Sequence, residues 1–227
     1  ESFAKENSEA RITVGVSGTG GGFERFCRGE TDISNASRPI KEDEEVPVCE
    51  KNGVAFGQVT VANDGIAVVA NKALEIDCMT TDQLKALWED GSKVKKYSDI
   101  DPKFPDTKVS LFGPGTDSGT FDFFTEEING EGGNTRKDYQ PSEDDNILVQ
   151  GVSGDENGLG YFGYSYYEQN QDKLRLIAVD GGDGCIKPST EAIQDGTYKP
   201  LGRPIFMYPS NAGLAKPQVK AFMDYVI

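Results

Sequence analysis

Pro114-Gly115-Thr116-Asp117-Ser118-Gly119-Thr120 sets three hydroxyls and two glycines within seven residues. Such residues suit one task well, which is giving hydrogen bonds to a small anion. Hydroxyls donate, and glycines let a ligand come close to bare backbone N–H groups. Val109-Ser110-Leu111-Phe112 just before reads as a short buried strand, and Phe121, Phe124 and Ile128 just after recur at helical spacing. Ser118 therefore falls where a strand ends and a helix starts. Unpaired N–H groups and the positive end of the helix dipole favour an oxyanion there. On this stretch alone, a plain N-cap serine fits equally well.

The same arrangement recurs upstream. Arg11-Ile12-Thr13-Val14-Gly15-Val16 reads as a strand, Ser17-Gly18-Thr19-Gly20-Gly21-Gly22 as a glycine-rich turn, and Phe23-Glu24-Arg25-Phe26-Cys27 as a helix. A third version runs Thr31-Asp32-Ile33-Ser34-Asn35-Ala36, then Ser37-Arg38-Pro39, with Pro39 suited to a first helical turn and Ser37 placed as its cap. Three hydroxyl-bearing helix starts after three strands make separate caps a poor explanation.

These segments, with Gly158-Leu159-Gly160-Tyr161-Phe162-Gly163-Tyr164, resemble the high-affinity phosphate-binding proteins of bacterial ABC importers. The likeness covers most of the chain in the right order. It implies an α/β, two-lobe periplasmic-binding-protein-like fold of type II, with mostly parallel sheets flanked by helices. It also implies a hinge, and one phosphate held in the interlobe cleft. The implied partners are inorganic phosphate and the membrane permease subunits of the transporter, with the protein itself a monomer without cofactor. The implied location is periplasmic or extracellular, with a lipid anchor before processing left open. Sulfate, molybdate or another tetrahedral oxyanion is the alternative ligand, and a secreted phosphate-scavenging or adhesive surface protein the alternative role.

Composition is consistent with that class. The 227 residues carry 36% hydrophobic side chains and no apolar run of membrane-span length. A net charge of −15 argues against nucleic acid as a partner. It does not argue against a bound anion, because distant surface carboxylates are screened while N–H and hydroxyl dipoles act at contact. The chain has no histidine, so Ser118 lacks the usual base of a hydrolase nucleophile. The glycines at 18–22 match neither the nucleotide P-loop nor the dinucleotide fingerprint. An enzyme is therefore not expected, nor a zinc site. Cys27, Cys49, Cys78 and Cys185 allow three pairings. Cys27–Cys49 and Cys78–Cys185 are the expected pairs, in keeping with an oxidising compartment, and four buried thiols are the alternative.

Residues 1–6 read as the end of a helix whose preceding strand is missing, and in the family that strand also touches phosphate. Residues 41–51 read as a charged helix interrupted by Pro47. Residues 81–88 read as a capped amphipathic helix that buries Trp88. Residues 130–145 read as a polar loop with an extended piece near Tyr139. The expected lobes are 1–69 with 205–227, and 70–204.

The phosphate set expected from the resemblance is Thr19, Ser37, Ser118, Gly119, Thr120 and Arg136, with Gly20, Arg38 and Asp117 as additional candidates. The chain departs from the family's best-known members at two positions. Ser37 stands where they have an acceptor aspartate, and Pro114 where they have an arginine. Arg136, able to fork onto two oxygens, is the expected source of positive charge, and Arg38 the expected rim or salt-bridge residue. Asp117, Asp138 and Asp145 are the candidate acceptors for the phosphate proton.

Overall fold

The structure is a computed structural model that describes residues 2–7, 9–15 and 19–227. Its chain forms two compact units, residues 1–63 with 204–227, and residues 64–203. No linker marks either crossing. The first lies inside one unbroken strand, so composition gives no boundary signal there.

The first unit opens with α1 (Ser2–Glu6) and α2 (Thr19–Cys27), followed by β1 (Ile33–Ala36), α3 (Val46–Lys51) and the start of β2 (Val59–Asn71). Residues 10–15 have no regular structure. The strand expected over 11–16 is thus absent from its described part, and Val16, Ser17 and Gly18 lie outside the described residues. The helix expected at Pro39 is absent too. Pro47 does not interrupt a helix but sits in the first turn of α3, where its missing N–H costs nothing. Phe23, Phe26, Ile40, Phe206 and Tyr208 form the core. The Cys27–Cys49 disulfide joins α2 to α3.

The second unit continues through β2 to β3 (Cys78–Thr80), α4 (Thr81–Trp88), β4 (Ser110–Pro114), α5 (Gly119–Phe124) and a π turn at Thr125–Asn129. Next come β5 (Gln140–Ser142), α6 (Asp145–Gly154), β6 (Gly158–Gly163), α7 (Tyr164–Glu168), β7 (Leu174–Asp180), β8 (Cys185–Ile186) and α8 (Thr190–Gln194). Then β9 (Gly202–Pro209) returns to the first unit, which closes with α9 (Asn211–Leu214) and α10 (Pro217–Val226).

Strand pairing is mixed rather than mostly parallel. β4 runs parallel to β5 and β6, and β3 parallel to β7. β2 is antiparallel to β6 and β7, and β1 to β9. In the Gly158-Leu159-Gly160 motif, a Cβ on Gly160 would lie 2.4 Å from the Phe112 carbonyl oxygen. Glycine there lets β6 close onto β4.

Thr80 caps α4 reciprocally with Gln83: its hydroxyl accepts from the Gln83 N–H at 3.1 Å, and its own N–H donates to Gln83 Oε1 at 2.9 Å. Trp88 is fully buried, edge-on to Tyr161 and Phe124, while Phe124 stacks on Tyr161 with centroids 3.7 Å apart. The aromatic side of α5 is thereby anchored in the core, and this fixes where its first turn lies. Cys78–Cys185 bridges β3 and β8.

Candidate functional site

In the first unit, β1 ends at Ala36 and delivers Ser37 beside the start of α2. The Ser37 N–H donates to Thr19 Oγ1 at 3.2 Å, and the two hydroxyl oxygens are 2.9 Å apart. Ser37 is therefore a partner of Thr19 and not the cap of a following helix. Gly20 borders Arg38, whose Nη2 would lie 3.8 Å from a Cβ placed there. The Arg38 guanidinium forks onto both carboxylate oxygens of Glu45 at 2.8 and 2.9 Å, donates to the Pro39 carbonyl, and lies over the Phe23 ring. Burial pulls the Glu45 pKa up, but hydrogen bonds and charge from Arg38 and Lys41 outweigh it and leave the carboxyl below its usual value. Thr19, Gly20, Ser37 and Arg38 thus form one neighbourhood. The structure pairs Arg38 with Glu45, as a salt-bridge residue.

In the second unit, β4 stops at Pro114 and α5 starts at Gly119. Ser118 caps the helix, its hydroxyl accepting from the Thr120 N–H at 3.2 Å. The functional and capping readings of Ser118 therefore share one geometry, since a hydroxyl that accepts there can still donate outward. A Cβ on Gly119 would meet nothing within 4 Å, so the turn is open on that side. The Tyr139 hydroxyl donates to the Pro114 carbonyl at 2.9 Å and pins the strand end.

One residue of this turn was not legible in the sequence. Glu143 lies over Gly115, where a Cβ would come within 1.9 Å of its Oε1, and the Asp117 N–H points to that oxygen at 3.4 Å. Ser142, just before it, is the ladder partner of Pro114. The signal is the parallel pairing of β4 with β5, which spacing along the chain does not reveal. Asp145 opens α6 close by, and burial first, then Asp144 and Glu143, pushes its carboxyl pKa up.

Arg136 is placed differently from its expected role. Its side chain is buried, donating from Nη1 to the Leu87 carbonyl at 2.9 Å and from Nη2 to the Val94 carbonyl at 3.3 Å. Nε and Nη2 fork onto Asp138 at 2.6 and 2.9 Å. Its backbone N–H and the Thr135 hydroxyl both donate to the Trp88 carbonyl. This segment caps the C-terminus of α4, a position that favours a cation. An anion could take its fork only by displacing Asp138. Hydrogen bonding to Arg136 first, with its charge and that of Lys95 behind it, holds the Asp138 carboxyl at about 2 despite some burial.

Among the described residues there is no group of three or more His, Cys, Asp or Glu side chains able to hold a metal ion. Among the same residues, no helix is long and apolar enough to cross a membrane.

Two α/β units whose strand ends present hydroxyls and N–H groups, joined by continuous strands, define a solute-binding class of protein. The model of the PBP superfamily domain matches residues 1–227, and the chain belongs to that superfamily. It is 46% identical over 230 residues to Protein SphX of Synechococcus elongatus, covering 100% of this chain and 68% of that protein. It is 40% identical to the phosphate-binding protein PstS of Staphylococcus saprophyticus, covering 100% of this chain and 69% of that one. The crystal structure of a possible phosphate binding protein from Planctomyces limnophilus superposes with a TM-score of 0.93 at 42% identity, over 99% of this chain and 80% of that one. The chain thus spans about two thirds of the length of the curated relatives it matches.

Proposed function

We propose that this chain captures inorganic phosphate outside the cytoplasm and passes it to the permease subunits of an ABC importer, with no chemistry done on the anion. The observation that carries the proposal is the Thr19–Ser37 hydroxyl pair at the end of β1, matched by the capped, open Ser118-Gly119-Thr120 turn at the end of β4. Hydroxyls and backbone N–H groups are donors, and donors are what a desolvated oxyanion requires. Relatives similar along the whole chain, and named as phosphate-binding proteins, support phosphate as the anion. The absence of histidine from the sequence supports binding over catalysis, and two disulfides support an oxidising compartment.

The proposed ligands are Thr19, Ser37, Ser118, Gly119 and Thr120. Calorimetry with phosphate, and separately with sulfate, is the direct test. One phosphate per chain is expected. Ser118→Ala should weaken it by about 1.5–3 kcal/mol, the range for a hydrogen bond to a charged group. Folded protein that binds no phosphate would overturn the proposal.

A further inference from the structure

Arg203 is the last residue of the second unit and the second residue of β9. Its guanidinium carbon lies 3.4 Å from the centroid of the Phe123 ring, the spacing of a planar cation laid flat on an aromatic face. The side chain is only 14% exposed, yet its nearest carboxylate oxygen, on Asp64, is 4.0 Å away. Its Nε is shielded from solvent and has no hydrogen-bond partner. Burial is the leading influence on its pKa and lowers it to about 10, against the pull of Asp64, Glu127 and Glu126. An arginine fork held this loosely differs from the other two discussed above. Arg136 is committed to Asp138 and the end of α4, and Arg38 is committed to Glu45.

Phe123 connects Arg203 to the candidate site. It follows Gly119 by four residues and Thr120 by three, so the three share one helical face. Helical side chains lean toward the N-terminus. The ring that carries the guanidinium thus lies on the helical face that Gly119 and Thr120 begin, and the Gly119 side of that first turn is open.

We infer that Arg203 is a further residue of the anion site, supplying the positive charge that draws a tetrahedral oxyanion to the Ser118–Thr120 turn and favours its doubly charged form. The inference rests on the phosphate proposal. It accounts for a largely buried cation kept without a full set of partners, since such a group is costly unless another charge completes it. Asp64 stands 4.0 Å from the guanidinium, with the charges of Glu126 and Glu127 acting on it from farther away, and Asp64 competes with the anion for it.

The test is calorimetry with inorganic phosphate across its second ionisation, on the full chain and on Arg203→Met, Arg203→Lys and Asp64→Asn. Arg203→Met should weaken binding by about tenfold or more, the size of a through-space charge effect at a partly buried site. The loss should be greater where the dianion predominates. Arg203→Lys should recover part of the affinity, and Asp64→Asn should tighten binding. A folded Arg203→Met that binds phosphate as the parent does would overturn the inference alone. So would equal losses in the Met and Lys variants at every pH, combined with an Asp64→Asn that fails to tighten, because that pattern belongs to packing. Should Arg203→Met not fold, the direction of the Asp64→Asn change decides. A parent that binds no phosphate would overturn the phosphate proposal and this inference with it.

Discussion

The Thr19 and Ser37 hydroxyl oxygens lie 2.9 Å apart, one at the start of α2 and the other just past the end of β1. One hydroxyl donates to the other, so the acceptor retains its proton to offer elsewhere. The Ser37 N–H, spent on Thr19 at 3.2 Å, holds the pair in register.

Thr19→Val and Ser37→Ala should each reduce phosphate affinity by about 1.5–3 kcal/mol. The double variant should lose less than the sum, because each single change already breaks the shared hydrogen bond. Calorimetry on the four proteins of the cycle measures the coupling. Strictly additive losses would show that the two hydroxyls act separately.

Arg136→Met should destabilise the fold by about 2–4 kcal/mol, since it leaves the Leu87 and Val94 carbonyls without their buried donor. Arg136→Lys should recover little of this, because an ammonium cannot span two carbonyls and a carboxylate in one plane. Urea unfolding reads the stability and calorimetry the phosphate affinity. A variant of full stability with lost affinity would return Arg136 to the role of anion ligand.

The Arg136–Asp138 pair also gives a pH signature. The folded Asp138 carboxyl is held at about 2, below its ordinary 3.8. Its contribution to stability is therefore complete above the ordinary value and is lost as pH falls through about 2. The carboxylate is 61% exposed, so solvent screening keeps the contribution below about 1 kcal/mol. Asp138→Asn should lower stability slightly at neutral pH and not at all near the acid limit. An equal cost at both ends would rule out the ionic origin.

Selectivity against sulfate requires an acceptor for the proton that phosphate carries and sulfate lacks. Ser37 is a weak, rotatable acceptor, and Asp138 is already held by Arg136. Asp145 opens α6 near the Pro114 turn with its carboxyl pKa raised. We expect Asp145→Asn to let excess sulfate compete with phosphate and Asp138→Asn to leave selectivity unchanged. Phosphate titrations with and without sulfate make the comparison. Unaltered rejection of sulfate by Asp145→Asn would assign discrimination to the hydroxyls and the shape of the site.

Local chemistry was legible along the chain because its range is short. A Ser118 that accepts from Thr120, and a Thr80 that exchanges hydrogen bonds with Gln83, involve groups two and three residues apart, so residue type and spacing are enough to specify them. Trp88 was readable as core by the same logic of helical faces. Partner choice across the fold was not readable. Pro47 could break a helix or begin one, and the turn before it decided for beginning. Ser37 could cap a helix or meet Thr19, and the path of the chain past β1 brought it to Thr19. An arginine binds whichever carbonyls and carboxylates come within about 3 Å of its fork, and only packing sets that. Arg136 was thereby drawn to the end of α4, and Arg203, which no motif marks, was laid against Phe123 on the helix that begins at Gly119.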